Sequence, residues 1–224
     1  MVEIIKGNFG ECRIIDCLDQ TTGIPSLQDS FELCFTDPDY GLKHDRKGVP
    51  FREKTQMDWD FHGAWFQAVE KISDAQVFTC GITHFYEWIK KFTPNYKHRI
   101  WYKPNVESML TYEPILFYGK LKRIHSIPYT FVHNIKTIEY SLNHPYPKPF
   151  DLVLDLISRI KPANVIDPFM GSGTTAEVCE YLGIPWLGFE IDKTYVTDIM
   201  TRIEKGKYAY KTNKKQIPLT KFLS

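Results

Sequence analysis

Long apolar runs are missing from this 224-residue chain. No stretch approaches the roughly 20 residues that a membrane-spanning helix requires, and no secretory signal opens the sequence, so neither membrane insertion nor export is expected. Cysteine is sparse: the five, at 12, 17, 34, 80 and 179, form no C-x-x-C pair and no His/Cys cluster at zinc spacing. They read as small apolar fillers, with no disulfide framework and no metal site expected. An excess of one charge is lacking too, since the formal net charge is only +1, which by itself points to no polyanionic partner. What is present is ordinary for a globular protein: 43% hydrophobic and 15% aromatic residues, in a length that suits one domain with a sizeable core.

The charge is unevenly placed. Residues 114–138 contain no acid but carry Lys120, Lys122, Arg123 and Lys136, and residues 202–221 carry seven Lys or Arg against one Glu. A further basic stretch, residues 42–60, holds Lys43, Arg46, Lys47, Arg52 and Lys54. Such patches can track a phosphate backbone, although each alone is more often a solvated surface or a chain terminus.

The most informative segment runs from Asn164 to Asp192. A short β-prone run at 164–166 leads into Asp167-Pro168-Phe169-Met170-Gly171-Ser172-Gly173-Thr174-Thr175, and helical spacing follows over 174–182. A second apolar run, 186–189, ends on Glu190, about twenty residues after the glycines. Glycines at such a turn let a ligand approach the backbone, and an acid at the end of the next strand can accept hydrogen bonds from both hydroxyls of a ribose. The dinucleotide fingerprint needs a third glycine where Ala176 stands, and no lysine follows the turn as a Walker loop requires. A nucleoside-bearing cofactor without a phosphate fits what remains; an ordinary βαβ turn that binds nothing is the plain alternative.

DPFMGSGTT followed by GFEID (Gly188 to Asp192) resembles the S-adenosylmethionine site of the amino-group DNA methyltransferases, which modify adenine N6 or cytosine N4. The resemblance implies that Asp167, Pro168, Phe169, Gly171, Ser172, Gly173, Thr174, Glu190 and Asp192 line the cofactor. It also implies a contact to the cofactor's adenine from the end of an early strand, for which Asn8, after a strand at 2–5, is the residue aligned.

A second motif, Thr36-Asp37-Pro38-Asp39-Tyr40-Gly41, closes the apolar run 31–35. It is similar to the family's D-P-P-Y catalytic motif, with Asp39 in place of the second proline. The resemblance implies that the Asp37 carboxylate and Pro38 carbonyl accept hydrogen bonds from an exocyclic amino group, and that Tyr40 stacks on a base swung out of the duplex. Asp39 removes a conformational restraint and adds a negative charge beside the reacting base. A strand ending in an Asp-Pro turn is the alternative from this motif alone.

Between the two motifs, helical spacing covers 61–72 and 83–92, and strands are expected at 75–80, 98–102 and 114–118. Trp88 and Trp101 read as core. Trp101 to Asn105 and Tyr112 to Leu116 are similar to the family's W-x-K-x-N and Y-E-P-I-L. His144-Pro145-Tyr146-Pro147-Lys148-Pro149, ahead of an apolar helix over 150–160, is similar to its H-P-x-x-K-P element, which implies that His144 and Lys148 sit beside the methionine end of the cofactor.

The catalytic motif precedes the cofactor motif, and that order resembles the circularly permuted β class. The expectation is therefore an α/β protein of the class I S-adenosylmethionine-dependent methyltransferase fold: a Rossmann-like, seven-stranded, mostly parallel sheet with helices on both faces. A single catalytic domain spans 1–224, with a short target-recognition insert at 119–142 and a basic tail at 204–224. The resemblance implies methyl transfer to double-stranded DNA, adenine N6 first because Asp37 opens the motif and cytosine N4 second. It implies DNA contacts from Lys43, Arg46, Lys47, Arg52, Lys120, Lys122 and Arg123, and a cytoplasmic enzyme of a prokaryotic or viral host. The insert is short, so a homodimer is one expected way of completing sequence reading. A DNA-binding module that Asp39 has deprived of catalysis, and a methyltransferase acting on RNA or a protein amide, are the competing readings.

Overall fold

The computed structural model describes residues 2–38, 57–92, 96–106, 111–122, 124–134 and 142–216. Its sheet is built from β1 (Glu3–Lys6), β2 (Gly10–Ile14), β3 (Phe31–Thr36), β4 (Ser73–Thr79), β5 (Lys97–Tyr102), β6 (Tyr112–Gly119), β7 (Thr130–Val132), β8 (Val165–Asp167) and β9 (Trp186–Glu190). The helices are α1 (Trp59–Ile72), α2 (Phe85–Lys91), α3 (Phe150–Ile160), α4 (Thr174–Leu182) and α5 (Val196–Gln216). The nine strands lie in the order β1-β2-β9-β8-β3-β4-β6-β5-β7. The class of fold is as expected, but two strands exceed the seven read from sequence: β2, whose Gly-Glu-Cys-Arg-Ile pattern is only partly apolar, and β7, three residues inside the 119–142 segment.

Strands β2, β9, β8, β3 and β4 run parallel, so their C-terminal ends share one edge. Chain direction across the sheet reverses between β8 and β3: β8 continues through α4 to β9 on one side, and β3 leads to α1 and β4 on the other. In open parallel sheets the crevice at such a switch point is where ligands lie. Both motifs end there, Asp37-Pro38 after β3 and the glycine turn after β8.

Each face of the sheet carries its own core. On one, Leu152, Leu156, Val178 and Ile199 from α3, α4 and α5 bury against Leu33, Val77, Phe117 and Val165. On the other, Trp65, Phe66 and Trp88 from α1 and α2 meet Phe78, Leu116, Ile166 and Phe189. Inner strands buried on both faces read as continuous apolar runs, which is why 31–35 and 186–189 were visible in the sequence. All five cysteines are free and buried within these cores, and Trp88 and Trp101 are core as expected.

Local signals set the helix ends. The Asp58 carboxylate caps α1 by accepting from the Phe61 N–H at 2.9 Å. Pro149 precedes α3, and Gly183 ends α4 in the left-handed region at φ 72°. No helix among the described residues is long and apolar enough to cross a membrane. The basic 204–216 stretch is the continuation of α5.

Candidate active site

The glycine turn is a shaped cradle. Gly171 and Gly173 have φ of 54° and 89°, backbone that a side chain rarely adopts. A Cβ on Gly171 would stand 3.2 Å from His144 Nε2, and one on Gly173 would stand 3.0 Å from the Ile199 Cα. Ser172 and Thr174 are buried within the turn, and the Met170 N–H donates to the Phe189 carbonyl, lacing the turn to β9. Phe169 packs edge-on against Trp65, with ring centroids 5.2 Å apart, so the cradle's entry rests on α1. Pro168 is buried beside it.

Glu190 reaches this cradle from the end of β9. One carboxylate oxygen accepts from the Gly171 N–H at 2.7 Å and the other from the Asp192 N–H at 2.8 Å, which leaves lone pairs on both for donors from a ligand. Burial pushes the carboxyl up to about 7, against the two backbone N–H groups that favour its ionised form. Asp192 turns away to cap the next short helix, accepting from the Thr194 N–H and hydroxyl.

Asp167 joins the two motifs. Its carboxylate accepts from the Thr36 hydroxyl at 2.6 Å and the Phe169 N–H at 3.0 Å, and burial raises it to about 6 even so. Asp37, one residue beyond Thr36, accepts from the Thr79 hydroxyl on one oxygen and from Lys148 Nζ at 2.5 Å on the other. Lys148 also pairs with Glu113 at 3.1 Å, and Glu113 in turn pairs with Lys103 at 2.6 Å. Burial opposes the charged form of Lys148, but the Asp37 and Glu113 carboxylates outweigh it and raise its pKa. The Lys148 carbonyl accepts from the Thr174 hydroxyl at 3.0 Å, so the H-P-x-x-K-P element touches the glycine turn and the catalytic motif at once. His144 is held beside Gly171 by Asp198, which accepts from the backbone N–H groups of Asn143 and His144.

Not every expected residue arrives. Asn8 lies in the β1–β2 turn, next to Trp186 at the start of β9, whereas Glu190 pairs with Ile14 at the far end of β2. Roughly 13 Å of strand, at about 3.3 Å per residue, separates the two ends, so Asn8 cannot serve the cradle. Asp16, just past β2, occupies the edge that Asn8 was expected to reach. Lys120 and Lys122 are also misplaced for DNA at the site. Strand β6 is antiparallel to β4 and its Gly119 pairs with Ala75, which puts both lysines at the opposite edge, with Lys122 paired to Glu32 at 2.8 Å. Asp39, Tyr40, Lys43, Arg46, Lys47, Arg52 and Arg123 lie outside the described residues.

Reading the sequence passed over Thr79, Lys103, Glu113 and Asp16. A signal existed for Glu113 and Lys103: charges within or abutting apolar runs are seldom buried unless paired. Among the described residues no group of three or more His, Cys, Asp or Glu side chains is placed to hold a metal ion.

Residues 81–201, more than half of the chain, match the model of the N6/N4 DNA methylase family. The chain belongs to that family. Among curated relatives, the type II methyltransferase M2.LlaDCHI of Lactococcus lactis subsp. cremoris is 33% identical over 73 residues, 32% of this chain and 27% of that protein. The type II methyltransferase M1.MboII of Moraxella bovis is 43% identical over 65 residues, 28% of this chain and 24% of that protein. The matched segments thus span about a quarter of each relative. In fold the chain is similar to the M1.HpyAVI–SAM complex, with a TM-score of 0.64 at 18% identity over 87% of this chain and 98% of that one. It is equally similar to the cytosine-N4-specific PvuII DNA methyltransferase, with a TM-score of 0.64 at 16% identity over 92% and 93%.

Proposed function

We propose that this DNA methylase transfers the methyl group of S-adenosylmethionine to an exocyclic amino group of a base in double-stranded DNA, adenine N6 before cytosine N4. One observation carries the reading: Lys148 holds the Asp37 carboxylate through its ammonium group and the glycine-turn helix through its carbonyl. The acceptor for an amino group and the cradle for a nucleoside are thereby set side by side at the switch point of the sheet. The cradle suits the cofactor, because Gly171 leaves the space a Cβ would take and Glu190 keeps acceptor capacity for two ribose hydroxyls. Bound there, S-adenosylmethionine would supply a methyl group on a positively charged sulfur.

The chain's own part is positioning. An exocyclic amino nitrogen is a poor nucleophile because its lone pair is delocalised into the ring. Donation of one amino N–H to Asp37 and the other to the Pro38 carbonyl favours a pyramidal nitrogen with its lone pair directed out of the ring plane, and correct placement supplies most of the acceleration. Tyr40, two residues on in the sequence, is assigned to stack on the extruded base. The Asp37 carboxylate can also take the proton that the nitrogen sheds after methylation. The catalytic motif preceding the cofactor motif supports a circularly permuted arrangement. Between β6 and α3 the described residues form a short 3-10 turn and β7, and base reading is assigned to this short 119–142 segment with help from the 42–60 stretch or a second copy of the chain.

The test is incubation of the protein with labelled S-adenosylmethionine and unmethylated genomic DNA, then analysis of the digested nucleosides. N6-methyladenine supports the reading in full, and N4-methylcytosine changes the base alone. An unlabelled digest from a protein shown to bind the cofactor overturns it.

A further inference from the structure

We propose that Glu113 is a positioning residue that acts on Asp37 through Lys148, with Lys103 as its counter-ion; this rests on the methyl-transfer reading above. The four side chains come from four places in the chain: Asp37 just after β3, Glu113 in β6, Lys103 just after β5 and Lys148 two residues before α3. They form one alternating row, Asp37, Lys148, Glu113, Lys103, with successive contacts of 2.5, 3.1 and 2.6 Å. Two carboxylates and two ammonium groups make the row neutral.

The row is costly to bury. Glu113 and Lys103 keep only 8% of their side-chain surface, and Lys148 keeps 12%. Desolvating a buried ion pair commonly offsets its attraction, and apolar replacements of similar size are often as stable. Stability alone therefore gives little reason for four charges here, at the mouth of the cradle, and geometry gives a better one. Lys103 grips one oxygen of Glu113 and lies 4.3 Å from the centre of the Trp101 ring, whose N–H donates to the His133 carbonyl. Glu113 is thus an anchored post. Its other oxygen keeps the Lys148 ammonium from turning toward solvent or toward the cofactor's carboxylate. Lys148 can then hold one oxygen of Asp37 while Thr79 holds the other, and the acceptor meets the amino group in one orientation. Cys80, just past β4, faces the same charges, and its thiol is raised by burial first and then by Glu113 and Asp37.

The variant to make is Glu113→Gln, which keeps the shape and removes the charge. It leaves two buried ammonium groups with one carboxylate. The expected result is a kcat lower by roughly 10- to 100-fold, the effect of a slightly misplaced reacting group. KM for S-adenosylmethionine should not rise, and the alkaline limb of the kcat–pH profile should move to lower pH as an ammonium group gives up its proton more readily. Adding Lys103→Met restores neutrality and should return the limb toward its original position, which a merely structural role would not do. Melting temperature against pH gives a readout free of activity: the deficit of Glu113→Gln relative to the unaltered protein should be full near neutral pH and narrow on the alkaline side, as the under-paired ammonium group gives up its proton. An unshifted limb in Glu113→Gln with undiminished kcat overturns the inference, and so does a joint loss of kcat and cofactor affinity with no shift. If the unaltered protein transfers no methyl group to DNA, the methyl-transfer reading fails by itself. The melting profiles then still decide the charge row, and identical profiles for Glu113→Gln and the unaltered protein overturn it.

Discussion

The Thr36 hydroxyl donates to the Asp167 carboxylate at 2.6 Å, tying the last residue of β3 to the last residue of β8 across the switch point of the sheet. One residue beyond each lie the two halves of the site, Asp37 and the Pro168-to-Gly173 turn. The bond sets the spacing between Asp37, the proposed amino-group acceptor, and the glycine turn proposed to cradle the cofactor. Thr36→Val should keep the shape, leave a buried carboxylate short of one donor, and lower stability by about 1–3 kcal/mol. Burial already raises Asp167 to about 6, and losing a donor raises it further. The ionised form is the one that loses, so the deficit should grow as pH rises through about 6. Melting temperatures of the two proteins across that range check it.

The two glycines of the turn should respond differently to alanine. At Gly173 a Cβ meets the Ile199 Cα at 3.0 Å, backbone that cannot step aside, on top of a φ of 89°. Gly173→Ala should therefore lower the melting temperature, with the left-handed backbone alone costing about 1–2 kcal/mol. Gly171, at φ 54°, shares the left-handed cost, but its Cβ meets the edge of the His144 ring, a side chain that can move, so no backbone clash is added. Gly171→Ala should weaken S-adenosylmethionine binding by calorimetry more than it lowers stability.

Glu190 predicts opposite pH trends for binding and stability. Its carboxyl is pushed up to about 7 from an ordinary 4.5, chiefly by burial. The folded protein therefore holds this proton more tightly than the unfolded chain does. The stability from Glu190 is fully present below 4.5 and is lost as pH rises through about 7. Ribose hydroxyls donate best to the ionised form, so cofactor affinity should rise with pH, by up to about tenfold per unit below the folded pKa. Calorimetric titration of the protein and of Glu190→Gln checks this: the variant should bind weakly and lose the dependence.

Lys120 and Lys122 should be silent in DNA binding. Both sit at the sheet edge opposite Asp37, and Lys122 already pairs with Glu32. Charge reversal at either position should leave both the affinity for duplex DNA and its salt dependence unchanged, since a lysine that touches no phosphate releases no counterion. A shallower salt dependence would return these lysines to the DNA-facing surface.

These outcomes also mark where the sequence was legible. The buried strands β3, β8 and β9 and the helices α3 and α4 were readable because burial on both sheet faces and helical spacing leave direct traces. Strand β2 left almost none: it mixes Glu11 and Arg13, paired to each other at 3.0 Å, with Cys12 and Ile14. Missing it placed the end of the first parallel strand at Asn8 instead of near Asp16, one error that misdirected a site residue. The placement of the lysines after β6 was not legible for a related reason. Local pattern reveals a strand but not its direction, and antiparallel pairing carries Lys120 and Lys122 to the edge opposite Asp37. Glu113 and Lys103 stood in motifs that had been noticed, yet their partners are distant in sequence and only the fold brings them to Lys148.

The central claim is that Asp37 receives the amino group in a site that also holds the cofactor. It is tested most directly by comparing the unaltered protein with Asp37→Ala for labelled methyl transfer to unmethylated DNA, with S-adenosylmethionine binding measured on the same preparations. The prediction is transfer by the unaltered protein, none detectable by Asp37→Ala, and nearly equal cofactor affinity in the two. Transfer retained by Asp37→Ala would contradict the assignment.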